Sequence, residues 1–223
     1  MPETFRKEIA REILRLSGIE VTLPPEKERE GQEEEISEKS RLLRELMEEL
    51  EGCRLCGLHA ERTNLVFGVG NPDARLMFIG EAPGAEEDRQ GEPFVGAAGK
   101  RLNVWIEYLG LRREEVYIAN ILKCRPPGNR TPRPDEAAFC VPFLRRQIEI
   151  ISPSIIVTLG APAFKYLLER SDGITKVRGQ EFSYRGIPVI PTYHPAYILR
   201  SPAREREVYL DLDKVREILR RLP

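Results

Sequence analysis

The 223-residue sequence lacks any apolar run approaching the roughly 18–20 residues that a membrane span needs, so we expect no transmembrane segment. Its N-terminus also lacks the apolar core of a secretory signal peptide. We therefore expect a soluble protein of the cytoplasm. Asn and Gln are few beside Glu, Lys and Arg, and this balance leans towards a thermophilic source.

Cysteine is scarce, with four residues in the whole chain: Cys53, Cys56, Cys124 and Cys140. In a reducing compartment, a C-x2-C pair with two more cysteines indicates a metal site rather than disulfides. Thiolates suit both zinc and iron–sulfur clusters. Zinc sites more often use two close pairs, and only Cys53 and Cys56 are close here. The spacing favours a cluster, and zinc or unligated core cysteines remain as alternatives.

The net charge of −1 hides an asymmetry between the two ends of the chain. Residues 1–52 hold 9 Lys or Arg and 15 Asp or Glu, whereas residues 53–223 hold 26 and 21. A mildly basic globular part is compatible with a polyanionic partner but does not identify one.

The acidic N-terminal part predicts an extension over residues 1–50, followed by a globular domain over 51–223. Apolar residues recur at helical spacing in 3–16 and again in 37–51. Between them, Pro24-Pro25 and an acidic run predict a linker. We interpret the extension as a solvated tail with a packing helix; the alternative is that helix 3–16 docks a protein partner.

From Cys53 onwards, strands and helices alternate, which predicts an α/β fold with a mostly parallel sheet covered on both faces. The predicted strands lie near 75–80, 116–121, 155–160 and 187–192, and the predicted helices near 97–110, 134–151, 161–170 and 203–221.

Polar residues follow three of these strands where each one ends. The first strand ends at Gly80-Glu81, the second at Asn120, and the fourth shortly before His194. The carboxyl ends of parallel strands meet at one edge of a sheet, where ligands bind. Glu81, Asn120 and His194 are therefore candidates for one pocket.

Each candidate also has a structural interpretation. A charge directly after a buried strand is costly unless used or paired, which favours a functional Glu81. Asn120 has donors and an acceptor with which to read a pyrimidine edge, but it could instead cap a turn. Pro195 biases the backbone of His194 to an extended conformation, which would hold the ring in a fixed loop. His194 could be either a functional or a structural histidine. Phe94, in a Gly-flanked loop, fits core packing or a stacking wall equally well.

The proline-rich loop Arg125–Pro134 carries several cations near the expected mouth of the pocket. Such a cluster is usually a solvated face, but here phosphate contact is an alternative. The candidates for phosphate contact are Lys123, Arg125, Arg130 and Arg133.

Together these segments resemble the family 4 uracil-DNA glycosylases, over about residues 50–222. The resemblance rests on the four cysteines and on the motifs Gly80–Gly84, Gly91–Gly96, Asn120–Pro127 and His194–Arg200. It implies a three-layer α/β/α sandwich around a four-stranded parallel sheet. It also implies that the cysteines hold a structural [4Fe–4S] cluster.

The resemblance further implies a role for each matching residue. Gly80, Glu81 and Ala82 would line the uracil site, Phe94 would stack on the base, Asn120 would read its polar edge, His194 would donate to uracil O2, and Glu87 would line the pocket. Ala82 departs from the Gly of many members, but it keeps its backbone N–H. We further hypothesise that Glu87 or its neighbours exclude thymine at C5.

The implied activity is hydrolysis of the N-glycosidic bond of uracil in double- or single-stranded DNA, the first step in base excision repair of deaminated cytosine. No lysine stands out as a Schiff-base nucleophile, so we expect a monofunctional enzyme. We expect a monomer near the nucleoid. The segment His194–Arg200 would meet DNA, with Tyr197, Ile198 or Leu199 as the wedge and Arg200 as a contact. The alternatives are a non-catalytic iron–sulfur module that binds DNA or carries electrons, and a zinc-stabilised nucleotide-binding protein.

Overall fold

The computed structural model describes residues 37–222. The predicted helix 3–16 and the acidic linker lie outside the described residues, and their proposed docking role stays a prediction. Within residues 37–222, no helix is both long and apolar enough to cross a membrane.

A single mixed sheet organises the described part of the chain. Its strands are β1 (Val69–Gly70), β2 (Leu76–Gly80), β3 (Tyr117–Asn120), β4 (Ile155–Leu159), β5 (Phe182–Tyr184) and β6 (Ile187–Thr192). The spatial order is β1-β3-β2-β4-β6-β5. The four inner strands are parallel, as predicted, and the two short edge strands pair antiparallel. The sequence pattern missed both edge strands because two or three residues are too few to show a strand period.

Helices cover both faces of the sheet. They are α1 (Glu38–Glu51), α2 (Ala85–Gln90), α3 (Ala97–Tyr108), α4 (Pro134–Ile151), α5 (Ala161–Leu168), α6 (Ile174–Val177), α7 (Pro195–Arg200) and α8 (Glu205–Arg221). Single 3₁₀ turns lie at Gly57–Ala60, Arg113–Glu115, Pro127–Asn129 and Pro202–Arg204.

Two separate hydrophobic cores show that the fold has three layers. Because side chains alternate along a strand, Met77 and Ile79 enter a core shared with α1, α4 and α5. Leu76 and Phe78 enter the other core, shared with α3 and α8. The predicted three-layer α/β/α class is confirmed.

Helix α1 belongs to this compact body rather than to an extension. Leu43, Leu46 and Leu50 recur at helical spacing and are buried in the same core as α4. The compact unit therefore runs from Glu38 to Pro223, and the boundary predicted at residue 50 is corrected to residue 37.

Candidate functional site

The carboxyl ends of the parallel strands meet at a cavity of about 430 Å³. The register of the strands aligns these ends, because Gly80 pairs with Asn120 and Leu159 pairs with Thr192. The structure thus places Glu81, Asn120 and His194 in one cavity, although they are far apart in sequence. The other lining residues are Ala82, Pro83, Gly84, Glu87, Phe94, Ala98, Pro126, Asn129, Arg130, Thr131, Ala196, Tyr197 and Arg200.

Asn120 presents an unused hydrogen-bonding group inside the cavity. The residue is only 2 % exposed, and its Oδ1 has no hydrogen-bond partner. Buried polar atoms are nearly always paired in folded proteins, so an unpaired one in a cavity indicates a missing ligand. The Oδ1 atom is therefore available to accept a hydrogen bond from a bound molecule.

Phe94 forms an aromatic wall beside His194. The two ring centroids are 5.6 Å apart, and the rings are inclined by 31°. Phe94 is buried and has a φ of 54°, a left-handed conformation that bulky residues rarely adopt. Strain of this kind persists where the surroundings enforce it, often at binding sites. The backbone of Phe94 lies directly against α3, since a Cβ on Gly99 would lie 1.8 Å from the carbonyl oxygen of Phe94.

His194 is held in one tautomer at the start of α7. Its Nδ1 accepts a hydrogen bond from the backbone N–H of Ala196 at 3.1 Å. Because a backbone amide only donates, a neutral ring must carry its proton on Nε2. Burial lowers the pKa of His194 to about 4, with a further contribution from the charge of Arg200. The ring is therefore a neutral Nε2–H donor at neutral pH.

Glu81 contributes an uncommitted carboxylate to the same cavity. Among the described residues its side chain has neither a hydrogen-bond partner nor an ion-pair partner, although its backbone oxygen accepts from the N–H of Leu122. Partial burial raises the pKa of its carboxyl group above the usual 4.5. Such a group is available to take up a proton or to face a positive charge that develops in a substrate.

Glu87 also lines the cavity, but its carboxylate is already committed. It accepts hydrogen bonds from the backbone N–H groups of Val95 at 3.0 Å, Gly96 at 2.9 Å and Gly84 at 3.1 Å. One side chain thus joins the two glycine-rich motifs. It fixes the loop on which Phe94 sits.

The predicted DNA contacts divide into those at the surface and those inside the fold. Arg200, Arg133 and Leu199 are exposed, and Arg125 is partly exposed with its Nε donating to Asn129. Arg130 lines the cavity mouth and forms a bidentate ion pair with Glu136. Arg200 has no ion pair within residues 37–222.

Two of those predictions are wrong. Lys123 is 0 % exposed and packs inside the fold, so it cannot touch a phosphate. Ile198 is 1 % exposed and belongs to the core shared with α8, so it cannot wedge into a duplex. Tyr197 is partly buried, with its ring 5.0 Å from that of Tyr193, and Leu199 is 41 % exposed.

The four cysteines are free, and all four pack in or against the core shared with α1 and α4. Among the described residues, no three His, Cys, Asp or Glu side chains converge closely enough to hold a single metal ion.

Two of these sulfur atoms accept hydrogen bonds from N–H groups. Arg62 donates to Sγ of Cys124 at 3.2 Å, and the backbone N–H of Lys123 donates to Sγ of Cys140 at 3.3 Å. Soft sulfur donors with N–H partners and a neighbouring guanidinium suit a thiolate-bound iron–sulfur cluster. Sequence reasoning missed Arg62, because nothing near it in the chain marks it as a partner of Cys124.

Sequence reasoning also missed the pocket-lining Asn129 and Thr131. Both lie in the proline-rich loop, and Asn129 has a left-handed φ of 56° directly after Gly128. The Gly-Asn pair was the available signal, since these residues favour such turns.

Comparisons with known proteins agree on one family. The family model "Uracil DNA glycosylase superfamily" matches residues 67–220. The chain is 46% identical over 187 residues to a type-4 uracil-DNA glycosylase of Thermotoga maritima, covering 82% of this chain and 97% of that relative. It is 49% identical over 185 residues to one from Sulfurisphaera tokodaii (79% and 84% covered). It is 45% identical over 184 residues to one from Archaeoglobus fulgidus (79% and 92% covered).

Proposed function

The chain belongs to the uracil-DNA glycosylase superfamily, and we propose that it is a type-4 enzyme that hydrolyses the N-glycosidic bond of uracil in DNA. The observation that carries this proposal is the unpaired Oδ1 of Asn120, buried in the same cavity as a neutral Nε2–H donor. The function is that of a hydrolase initiating base excision repair of deaminated cytosine.

The depth of the site requires the target base to leave the helix. An enzyme cannot reach the sugar C1′ of a stacked nucleotide, so the base is flipped out at a cost of a few kcal/mol. That cost is lower at a U·G mismatch or in a single strand. Inside the cavity, the face of Phe94 offers a stacking surface for a flat base.

Asn120 provides the selectivity for uracil. Uracil presents an N–H donor at N3 and a carbonyl acceptor at O4, which complement the oxygen and the NH₂ group of a carboxamide. Cytosine presents an acceptor at N3 and an amino donor in place of O4, and it would leave both groups mismatched. A buried polar group left unpaired costs about 1–3 kcal/mol.

His194 acts on the departing uracil, and Glu81 acts on the sugar. As the glycosidic bond breaks, negative charge collects on the uracil ring and positive charge on the sugar. The Nε2–H of His194 donates to uracil O2 and stabilises the anion, as the donors of an oxyanion hole do. The carboxylate of Glu81 faces the sugar, stabilises its positive charge and orients the attacking water. No lysine lines the described cavity, which supports a monofunctional enzyme.

Glu87 and Ala82 complete the binding site. Three amide donors hold the Glu87 carboxylate at the wall of the cavity, which supports its role in excluding the C5 methyl group of thymine. Ala82 lines the same wall and keeps its backbone N–H.

The rim contacts the DNA on either side of the flipped nucleotide. Arg200 is the cation at the cavity mouth that lacks an ion pair in the described part, so it is the best-placed phosphate ligand. Arg125, Arg130 and Arg133 flank it on the proline-rich loop. Leu199, exposed on α7, is the wedge that fills the vacated stack.

We also propose that Cys53, Cys56, Cys124 and Cys140 hold a [4Fe–4S] cluster with a structural role. Four free thiols at one core support it, two of which, Cys124 and Cys140, have N–H partners on sulfur. These residues would hold the cluster between the segment after α1, helix α4 and the loop after β3, and the cluster would cross-link these three segments. A broad absorbance near 400 nm with four irons per chain is expected. Colourless protein with one zinc per chain would exclude it.

An alkali-cleavage assay tests the activity. Oligonucleotides with one uracil, as U·G, as U·A and in a single strand, are incubated with the protein and then heated in alkali, which breaks the strand at an abasic site. Cleavage in all three is expected, fastest for U·G or the single strand. Cleavage without alkali would mean lyase activity, and none with alkali would favour the non-catalytic DNA-binding module.

A further inference from the structure

Lys123 is a cation inside the protein without an acidic partner. It follows β3, it is 0 % exposed, and its ammonium group donates to the backbone oxygen of Asn120 at 3.0 Å and to Oε1 of Gln147 at 2.6 Å. Both acceptors are neutral. Within residues 37–222, no carboxylate lies within ion-pair distance of Lys123. A charge taken out of water without an opposite charge costs several kcal/mol.

The remaining surroundings of Lys123 do not supply a negative charge either. Gln147 is itself fully buried and spends its NH₂ group on the carbonyl of Phe67 and on the hydroxyl of Tyr117. The ring of Phe67 lies 5.9 Å from the ammonium nitrogen. These contacts hold the lysine in place and satisfy hydrogen bonds, but they leave its charge uncompensated.

Two of the four cysteines lie next to Lys123. Lys123 directly precedes Cys124, and its backbone N–H donates to Sγ of Cys140 at 3.3 Å. Four thiolates around a [4Fe–4S] core carry more negative charge than the core offsets, so the complete cluster is an anion. A cation buried beside it offsets charge on both sides.

We propose that Lys123 is the internal counter-ion of the cysteine-bound cluster and, through the same ammonium group, a positioning residue for Asn120. The inference rests on the proposed cofactor. It explains why a lysine follows the uracil-reading Asn120 at a position from which it cannot reach DNA. The ammonium group of Lys123 then offsets the negative charge of the cluster and also holds the backbone oxygen of Asn120 at the base pocket.

The test measures the cluster rather than catalysis. Wild type, Lys123→Met, Lys123→Gln and Lys165→Met are purified anaerobically as full chains, and iron content and the midpoint potential of the cluster are measured. Met preserves bulk without charge. Gln also lacks charge but retains an N–H donor for the carbonyl of Asn120. Lys165, exposed over the ring of Tyr166, is the matched control.

Removing a nearby positive charge destabilises the more negative, reduced state of a cluster. Both Lys123 variants should therefore have a lower midpoint potential than wild type and lose their absorbance faster in air, while Lys165→Met matches wild type. If Lys123 has a purely structural role, Lys123→Gln should behave like wild type, and that result would overturn the proposal. A wild-type protein without iron would instead refute the cofactor itself.

Discussion

Oδ1 of Asn120 lies 2.3 Å from the position that a Cβ on Gly80 would occupy. The ring of Phe94 lies 2.5 Å from the same position. The absence of one methyl group at the end of β2 therefore lets the base-reading amide and the stacking ring approach each other.

Gly80→Ala should displace both groups. Forcing extra carbon into a filled site costs about 1–3 kcal/mol, which corresponds to a loss of about tenfold to a hundredfold in kcat/KM for uracil. Gly173→Ala is the control, since nothing lies within 4 Å of a Cβ there. Equal activity of the two variants in single-turnover assays would show that the approach at Gly80 is not needed.

Asn120→Asp should weaken the discrimination between uracil and cytosine. The change replaces the NH₂ donor with an acceptor and places a negative charge next to the developing uracil anion, so uracil excision should fall by about tenfold to a hundredfold. Asn103→Asp, where the side chain accepts from Arg113 away from the cavity, should have no effect. Excision rates on matched U·G and C·G duplexes measure this, and an unaltered ratio would remove Asn120 from base recognition.

His194→Ala should lower turnover by about 10²–10³ and leave DNA binding nearly intact. The physical reason is that its Nε2–H stabilises charge that exists only as the bond breaks. Affinity for an uncleavable uracil analogue in duplex DNA, measured beside single-turnover rates, separates the two effects. Parallel losses in affinity and rate would instead indicate a structural histidine.

The fall in rate on the acidic side of the pH–rate profile should reflect protonation of Glu81. Burial raises the pKa of its carboxyl group above 4.5, whereas the pKa of His194 is lowered to about 4. As pH falls, Glu81 is protonated first, loses its negative charge and ceases to stabilise the sugar cation, so the rate should fall at a pH above 4.5. The residual activity of Glu81→Gln should lack this acidic limb. A limb that persists in the variant assigns the titration to another group.

Glu87→Ala should raise KM and lower the melting temperature, because three backbone N–H groups lose their shared acceptor and release the Phe94 loop. The neighbouring Glu86 offers a matched control, since within residues 37–222 its exposed carboxylate pairs only with Arg89 and Gln90. Steady-state kinetics and thermal unfolding of both alanine variants should therefore diverge. If Glu86→Ala had the same effect, the loop would depend on helix α2 as a whole.

The sequence by itself determined the four parallel strands, because each is a short apolar run that ends at a glycine or a polar residue. Those ends also identified Glu81, Asn120 and His194, because parallel strands place their carboxyl ends at one edge. The cysteine spacing and the glycine-rich motifs identified the family without any knowledge of contacts.

Tertiary structure alone decided which polar side chains face inward. Lys123 and Ile198 lie in motifs that also contain cavity-lining residues, and contacts between elements bury them. Lys123 packs against Gln147 of α4, and Ile198 lies in the core shared with α3 and α8. The tautomer of His194 depends on a single amide of α7, and the unpaired state of Asn120 depends on Gly80 and Phe94 approaching from other segments. Burial and hydrogen-bond partners arise between elements distant in the chain, so no local pattern records them.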